Sequence, residues 1–334
     1  MLRMVRLDRQ QEGAGFEEEY LGGCLLSRLD ADRADMPDAD FIVYSCDKPG
    51  LPPEIAASVG ASTRPILLHL SNESLQHDFA YYRNARWIFR SYFDPNCTLP
   101  NVTTVPLGFR SGFQAGAEAH RKTERANEYV WAFAGQKKSD RKTMAEQMER
   151  LTPHFAHYTS GWLSNDMLTV AQVCEVYAKT QVVPCPMGNI NPDSFRIMEA
   201  LENGSIPVLK RFYGYDIATY TFGDHPFIVG ADWADCARMV ARLQRDPEQY
   251  RARATAVESW YRQFKDDLAE DIARIVRTGS TAGCKGSQFE HQREGKADRL
   301  LKAAFAWHFR EKHRLLHRIG RAGDMLTGKR ADAS

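Results

Sequence analysis

The chain has 334 residues, and at about 150 residues per domain that length points to two domains rather than one compact core. Its 44 lysines and arginines against 43 acids leave a formal charge of +1, so no global field favours a nucleic acid or a polyanionic substrate, and any charged partner must be met by a local site. Seven scattered cysteines with no Cys-x-x-Cys spacing argue against a disulfide frame or a zinc site, and no window approaches the roughly 18 apolar residues of a membrane span.

The first residues, "MLRMVRLDRQQEGAGFEEEY", lack the apolar segment of a signal peptide, so a cytoplasmic chain with a polar entry segment is expected. "DFIVYSCDKPG" is a short apolar run closed by turn residues, the pattern of a buried strand. "PPEIAASVGAS" follows as a helix with proline in its first turn, and "RPILLHLSNES" as a second buried strand. "FAYYRNARWIFRSYFDP" and "NVTTVPLGF" supply two further strands, and the charged helical stretch "AGAEAHRKTERANE" closes the first unit near residue 120.

The alternation then restarts. "EYVWAFAGQ" is a strand, "SDRKTMAEQMERL" a helix with Ser139 as its N-cap, and "HFAHYTSG" a strand. "SNDMLTVAQVCEVYAKT" is a helix whose start is marked by Ser164, Asn165 and Asp166, and "QVVPCPMG" is the next strand. "PDSFRIMEALENGSIPVLKRF" reads as a short helix and a strand, "HPFIVG" as a strand, and the remainder to about residue 265 as amphipathic helices. Strands alternating with helices in both halves imply two parallel-sheet domains, 1–120 and 121–280, whose ligand loops lie at the carboxyl ends of their strands. Residues 281–334 form a basic helical tail with Leu301, Phe305, Phe309 and Leu316 on one face. Such a tail either packs back on the body or lies on an anionic membrane surface.

The loop "GNINPDSFR" concentrates candidate chemistry. Asn191, Asp193 and Ser194 are N-cap formers, so a helix starts here with unpaired N–H groups that favour an anion such as a diphosphate. Arg196 in its first turn adds a forked pair of charge-assisted hydrogen bonds, and Glu199, three residues on, shares its face and suits a ribose diol. Gly135 and Lys137, just before the Ser139 helix, make a second phosphate contact, with Lys138 beside them. Arg90 and Arg110 are candidates to reach the donor across a cleft. Asp47, at the end of "FIVYSCD", sits where a strand-end catalytic carboxylate would.

The string from Pro186 through Asp193, Ser194, Arg196, Glu199, Ala200, Leu201 and Gly204 to Ile206, Pro207 and Val208 resembles the nucleotide-sugar motif of GT-B glycosyltransferases, particularly the exostosin-like family. "ILLHLSNES", "WIFRSYFDP" and "VTTVPLGF" look like the acceptor-side order of exostosin-like and fucosyltransferase-like GT-B enzymes. The resemblance implies two Rossmann-like domains facing a central cleft, plus C-terminal helices. It also implies diphosphate contact by Arg196, ribose contact by Glu199, a tight turn at Gly204, and Glu73 as the general base of an inverting transfer, with Asp47 as the other candidate. The partners it implies are a nucleotide sugar and a saccharide or lipid-linked saccharide acceptor in surface glycan synthesis. No metal cofactor is expected, since "DADRAD" and "PDAD" lie in the entry segment and helix N–H groups with basic side chains can meet the leaving diphosphate. A GT-B epimerase and a non-catalytic nucleotide-sugar-binding scaffold are the rival readings.

Overall fold

The structure is a computed structural model describing residues 2–6, 20, 29, 37–46, 51, 53–62, 64–75, 80–121, 127–161 and 164–312. Asp47 and Leu316, named above, lie outside the described residues.

The first sheet is parallel, in the order β1 (Leu2–Arg6), β2 (Ala39–Ser45), β3 (Ile66–Leu70), β4 (Trp87–Arg90), β5 (Val102–Thr104). The entry segment is therefore not merely polar connection: "LRMVR" pairs with β2 from Leu2 opposite Ala39 to Arg6 opposite Val43. Two arginines within five residues are what an edge strand tolerates, and its short length hid it in a charged context. Helix α1 (Pro53–Ala61) crosses from β2 to β3, which is buried along its whole length as a central parallel strand must be.

Helix α2 (Phe113–Arg121) leads to the second sheet, also parallel, in the order β10 (Ile228–Gly230), β9 (Ile206–Lys210), β8 (Thr180–Pro184), β6 (Tyr129–Gly135), β7 (His154–Tyr158). Strand β6 is hydrogen-bonded to β7 on one side and β8 on the other, so the chain order reverses there. Loops leaving β6 and β8 diverge at such a switch point and open a crevice. Helices α3 (Asp140–Met148), α4 (Val170–Ala178), α5 (Arg196–Glu202), α6 (Thr219–Phe222) and α7 (Trp233–Arg245) occupy the connections. Helix α8 (Pro247–Thr278) follows without a loop, because Asp246 both ends α7 and caps α8 by accepting from the Gln249 N–H, with Pro247 at the first helical position.

Of the starts of α4 and α3, the first differs from the sequence expectation and the second matches it in position. Helix α4 begins at Val170 under a capping box between Thr169 and Gln172, while Ser164 and Asp166 instead tie a turn to Gly161 and Ser160. At α3, Ser139 does occupy the N-cap position, yet its side chain makes no capping bond.

The C-terminal helices α9 (Gln288–Ala297) and α10 (299–312) bind the two sheets together. The buried Gln292 amide accepts from the Thr104 N–H at 3.0 Å and donates to the carbonyls of Thr104 at 2.9 Å and Tyr220 at 2.8 Å. Phe93 of the first domain stacks on Tyr220 of the second with centroids 4.3 Å apart. Leu301, Phe305 and Phe309 are buried in the cluster that contains Phe93, Phe212 and Tyr220. The apolar face of α10 is thus used to join domains, which is the first of the two readings of the tail. No helix among the described residues is long and apolar enough to cross a membrane.

Candidate functional site

A cavity of about 150 Å³ lies at the switch point and extends to the first domain. Its walls come from the carboxyl ends of β6 and β7, Val173 and Tyr177 of α4, the 188–196 segment, and Glu73, Tyr92 and Arg110.

The loop and α5 are built from their sequence in an unexpected way. The helix N-cap is Phe195, in helical conformation and with no side-chain capping bond, so none of Asn191, Asp193 or Ser194 caps it. Those residues bond one another instead: the Asp193 N–H donates to the Asn191 side chain at 3.1 Å and the Ser194 N–H to Asp193 Oδ1 at 2.7 Å. Such short side chains mimic backbone turns, and here they shape the loop rather than the helix end. At the other end, the Gly204 N–H reaches the Leu201 carbonyl and the Ser205 N–H the Ala200 carbonyl, a full Schellman motif with Gly204 at φ +71°. That turn delivers the chain directly into β9, as expected for Gly204.

Arg196 lies over the Phe133 ring at 4.6 Å and donates from Nη2 to the Ala134 carbonyl at 2.9 Å. Gly135 makes this possible: its φ is +144°, and a Cβ there would stand 3.1 Å from Nη2 of Arg196. Arg141, in the first turn of α3, is a cavity residue that sequence reasoning passed over in favour of Lys137. Its Nε donates to the Met187 carbonyl at 3.3 Å, and burial, then the like charge of Arg196, lowers its pKa to about 10. Helical spacing offered a signal, since Arg141 sits two residues past the Ser139 cap. Lys137 turns away: it pairs with Glu149 at 3.0 Å and covers the Tyr158 ring.

Glu199 is buried and does line the cavity, but Oε1 accepts from Arg110 Nε at 2.8 Å. That carboxylate is the leading cause holding the Arg110 guanidinium above its ordinary pKa. Arg110 therefore positions Glu199. Arg90, by contrast, is wholly buried in the first domain near Tyr82 and Asp94, with Asp94 at 3.7 Å, and does not line the cavity.

Glu73 reaches the cavity from the first domain. Its Oε1 accepts from the N–H groups of Asn189 and, at 2.9 Å, Ile190. Gly188 permits the approach, because a Cβ there would lie 2.5 Å from that oxygen. Successive N–H groups converging on one oxygen form an anion nest, occupied here by a carboxylate. Asp193 has its Oδ2 buried without a hydrogen-bond partner among the described residues, and burial raises its pKa to about 7 against the pull of the Ser194 N–H. No group of three or more His, Cys, Asp or Glu among the described residues could hold a metal ion.

Two parallel α/β domains meeting over a cavity at the strand ends of the second constitute the GT-B architecture. Residues 110–279 match the family model of the RXYLT1 C-terminal domain, and the chain belongs to that family. The donor-side positions from Pro186 to Val208 fall inside the matched stretch and the acceptor-side stretches before Arg110 fall outside it, and the model that matches is that of the RXYLT1 family, not of the exostosin-like one. No curated protein matches the sequence. Similar solved structures include a mutant of T4 phage BGT in complex with UDP-glucose, at 11% identity, 83% of this chain, 99% of that one and TM-score 0.46. Anabaena HepE in complex with UDP and glucose has 10% identity, 82% and 100% coverage and TM-score 0.44. Arabidopsis thaliana UGT89C1 complexed with quercetin has 11% identity, 90% and 99% coverage and TM-score 0.39. At these identities and scores the likenesses add nothing to what the residues of the site themselves show.

Proposed function

We propose that the chain is a glycosyltransferase that takes a nucleotide sugar in the switch-point cavity and moves its sugar to a saccharide hydroxyl presented from the first-domain side. The observation that carries this is the pair Arg141 and Arg196, two guanidinium groups brought together in one cavity and held by carbonyls and a ring. Like charges assembled beside an anion nest suit a diphosphate, which relieves their repulsion. Glu199, oriented by Arg110, accepts from the ribose hydroxyls.

Transfer then proceeds with inversion. The acceptor oxygen bonds to the anomeric carbon, the bond from that carbon to the phosphate oxygen breaks, and the hydroxyl proton passes to Glu73. The departing diphosphate carries its charge onto Arg141 and Arg196. In the structure Glu73 fills the nest itself, so donor phosphate and Glu73 compete for it, and a bound donor releases the carboxylate to the acceptor. Since the arginines meet the leaving-group charge, transfer is metal-independent.

The test is release of nucleoside diphosphate from a panel of nucleotide sugars, with acceptor saccharides and EDTA present. Turnover in wild type, with Glu73→Ala binding the diphosphate more tightly but transferring about 10²–10⁴-fold more slowly, is expected. Unchanged transfer in Glu73→Ala removes the base, and activity restored only by a divalent ion removes metal independence.

A further inference from the structure

The larger cavity of the second domain, about 810 Å³, is separate from the site above. Its floor is the carboxyl ends of β9 and β10 with Asp140 and Trp233, and its wall is α10, through Trp307, His308 and Glu311. The 187–193 segment stands between the two cavities: Met187 and Pro192 line this one, Gly188, Asn189 and Asp193 the other.

Two of the three exposed large apolar side chains among the described residues meet at its mouth. Tyr213 is 49% and Trp307 51% exposed, and their rings lie edge to face at 5.8 Å and 89°. Tyr213 is placed there at a conformational cost. Phe212 and Tyr215 exchange both N–H to carbonyl bonds, closing a two-residue turn in which Tyr213 has φ +48° and Gly214 φ +88°. Turns with both central residues left-handed favour Asn or Asp followed by Gly, so an aromatic residue at the first of them is held against its own backbone preference. His308 fixes the opposite wall by bonding the Ile190 carbonyl at 2.8 Å, and it approaches the Tyr213 hydroxyl at 3.4 Å.

The polar lining is balanced, with Lys210, Arg211 and Lys312 against Asp140, Asp232 and Glu311. Asp140 is already neutralised by Lys210 at 2.6 Å and accepts from Trp233 Nε1 at 3.0 Å. Such a lining offers donors and acceptors without favouring an anion, unlike the arginine cavity. Aromatic faces carry negative quadrupole potential, which attracts the weakly positive C–H face of a pyranose, and the surrounding polar groups bond its hydroxyls.

We infer that this cavity is a binding site for a neutral oligosaccharide stacked on Trp307 and Tyr213. Resting on the transferase reading above, that oligosaccharide is the body of the acceptor, held by the second domain and α10 while its reacting end crosses the 187–193 segment to meet Glu73 on the first-domain side.

The experiment applies the full chain to an array of neutral and acidic glycans, and measures by titration calorimetry the affinity of the glycans retained. Wild type retains neutral glycans, Trp307→Ala and Tyr213→Ala weaken them tenfold or more, and Trp307→Phe restores most of the affinity. The thermal shift caused by nucleoside diphosphates stays unchanged in all three variants. The inference is overturned if no glycan is retained, if the alanine variants retain them equally, or if Trp307→Ala loses nucleotide instead. Glycan binding without any nucleotide shift would remove the donor reading and leave this site standing.

Discussion

Asp193 shows how much of a residue's role depends on its surroundings. In the sequence it reads as a helix cap, whereas in the fold it shapes a loop, with one oxygen bonded to Ser194 and the other buried without a described partner. Burial raises its pKa to about 7, above the ordinary carboxylate value. A raised carboxyl pKa leaves stability intact below the unfolded value and erodes it as pH climbs to the folded one. Asp193 therefore withdraws stability between about pH 4 and pH 7. Asp193→Asn should remove that slope, so that wild type and variant diverge across this window in denaturant midpoints, and parallel curves would show that Asp193 binds its proton equally in the folded and unfolded chain. Arg196 and Glu199 were legible because three-residue spacing on a helix fixes a shared face whatever the tertiary context. Arg141 carried only its place in the first turn of α3 as a signal, since the like charge of Arg196 is far away in sequence and only the switch point brings the two together.

Elements were legible wherever hydrophobic periodicity was strong, as in β3 and β8, and less so at their ends. Helix α4 starts at Thr169 because a reciprocal capping box outcompetes the Ser164 and Asp166 side chains, which find partners in their own turn. β1 was missed because five residues, two of them arginines and without a period-two pattern, carry little signal without β2 beside them. Gly204 is the clearest case of an element end written in sequence. Its φ of +71° closes α5 and aims β9, placing Glu199 on one side and a buried strand on the other. A Cβ in the left-handed region costs ~1–2 kcal/mol, so Gly204→Ala should lower the unfolding free energy by that amount in urea titration. No loss would mean that the turn relaxes freely.

At the scale of the whole molecule, two parallel sheets followed from the repeated strand–helix alternation, but the way α9 and α10 fasten them did not. That fastening is polar and specific: one side-chain amide satisfies three backbone groups from both domains. Gln292→Ala strands those groups in a buried site and should cost about 3 kcal/mol, read as an earlier or split thermal transition. A transition identical to wild type would mean that the domains are joined by Phe93, Tyr220 and α10 alone. The basic, apolar-striped tail suited a membrane surface as well as a packed helix in sequence. Burial of Leu301, Phe305 and Phe309 assigns their face to the protein interior.

An arginine cavity that holds a nucleoside diphosphate will show it in titration calorimetry of UDP, GDP, CDP and ADP into wild type and Arg196→Ala. Losing a charge-assisted, forked contact worth ~1.5–3 kcal/mol weakens binding roughly 10- to 100-fold. At least one of the four is expected to bind wild type, and Arg196→Ala to weaken it by that factor while remaining folded. Absence of binding by all four, or equal binding to the two proteins, would contradict it.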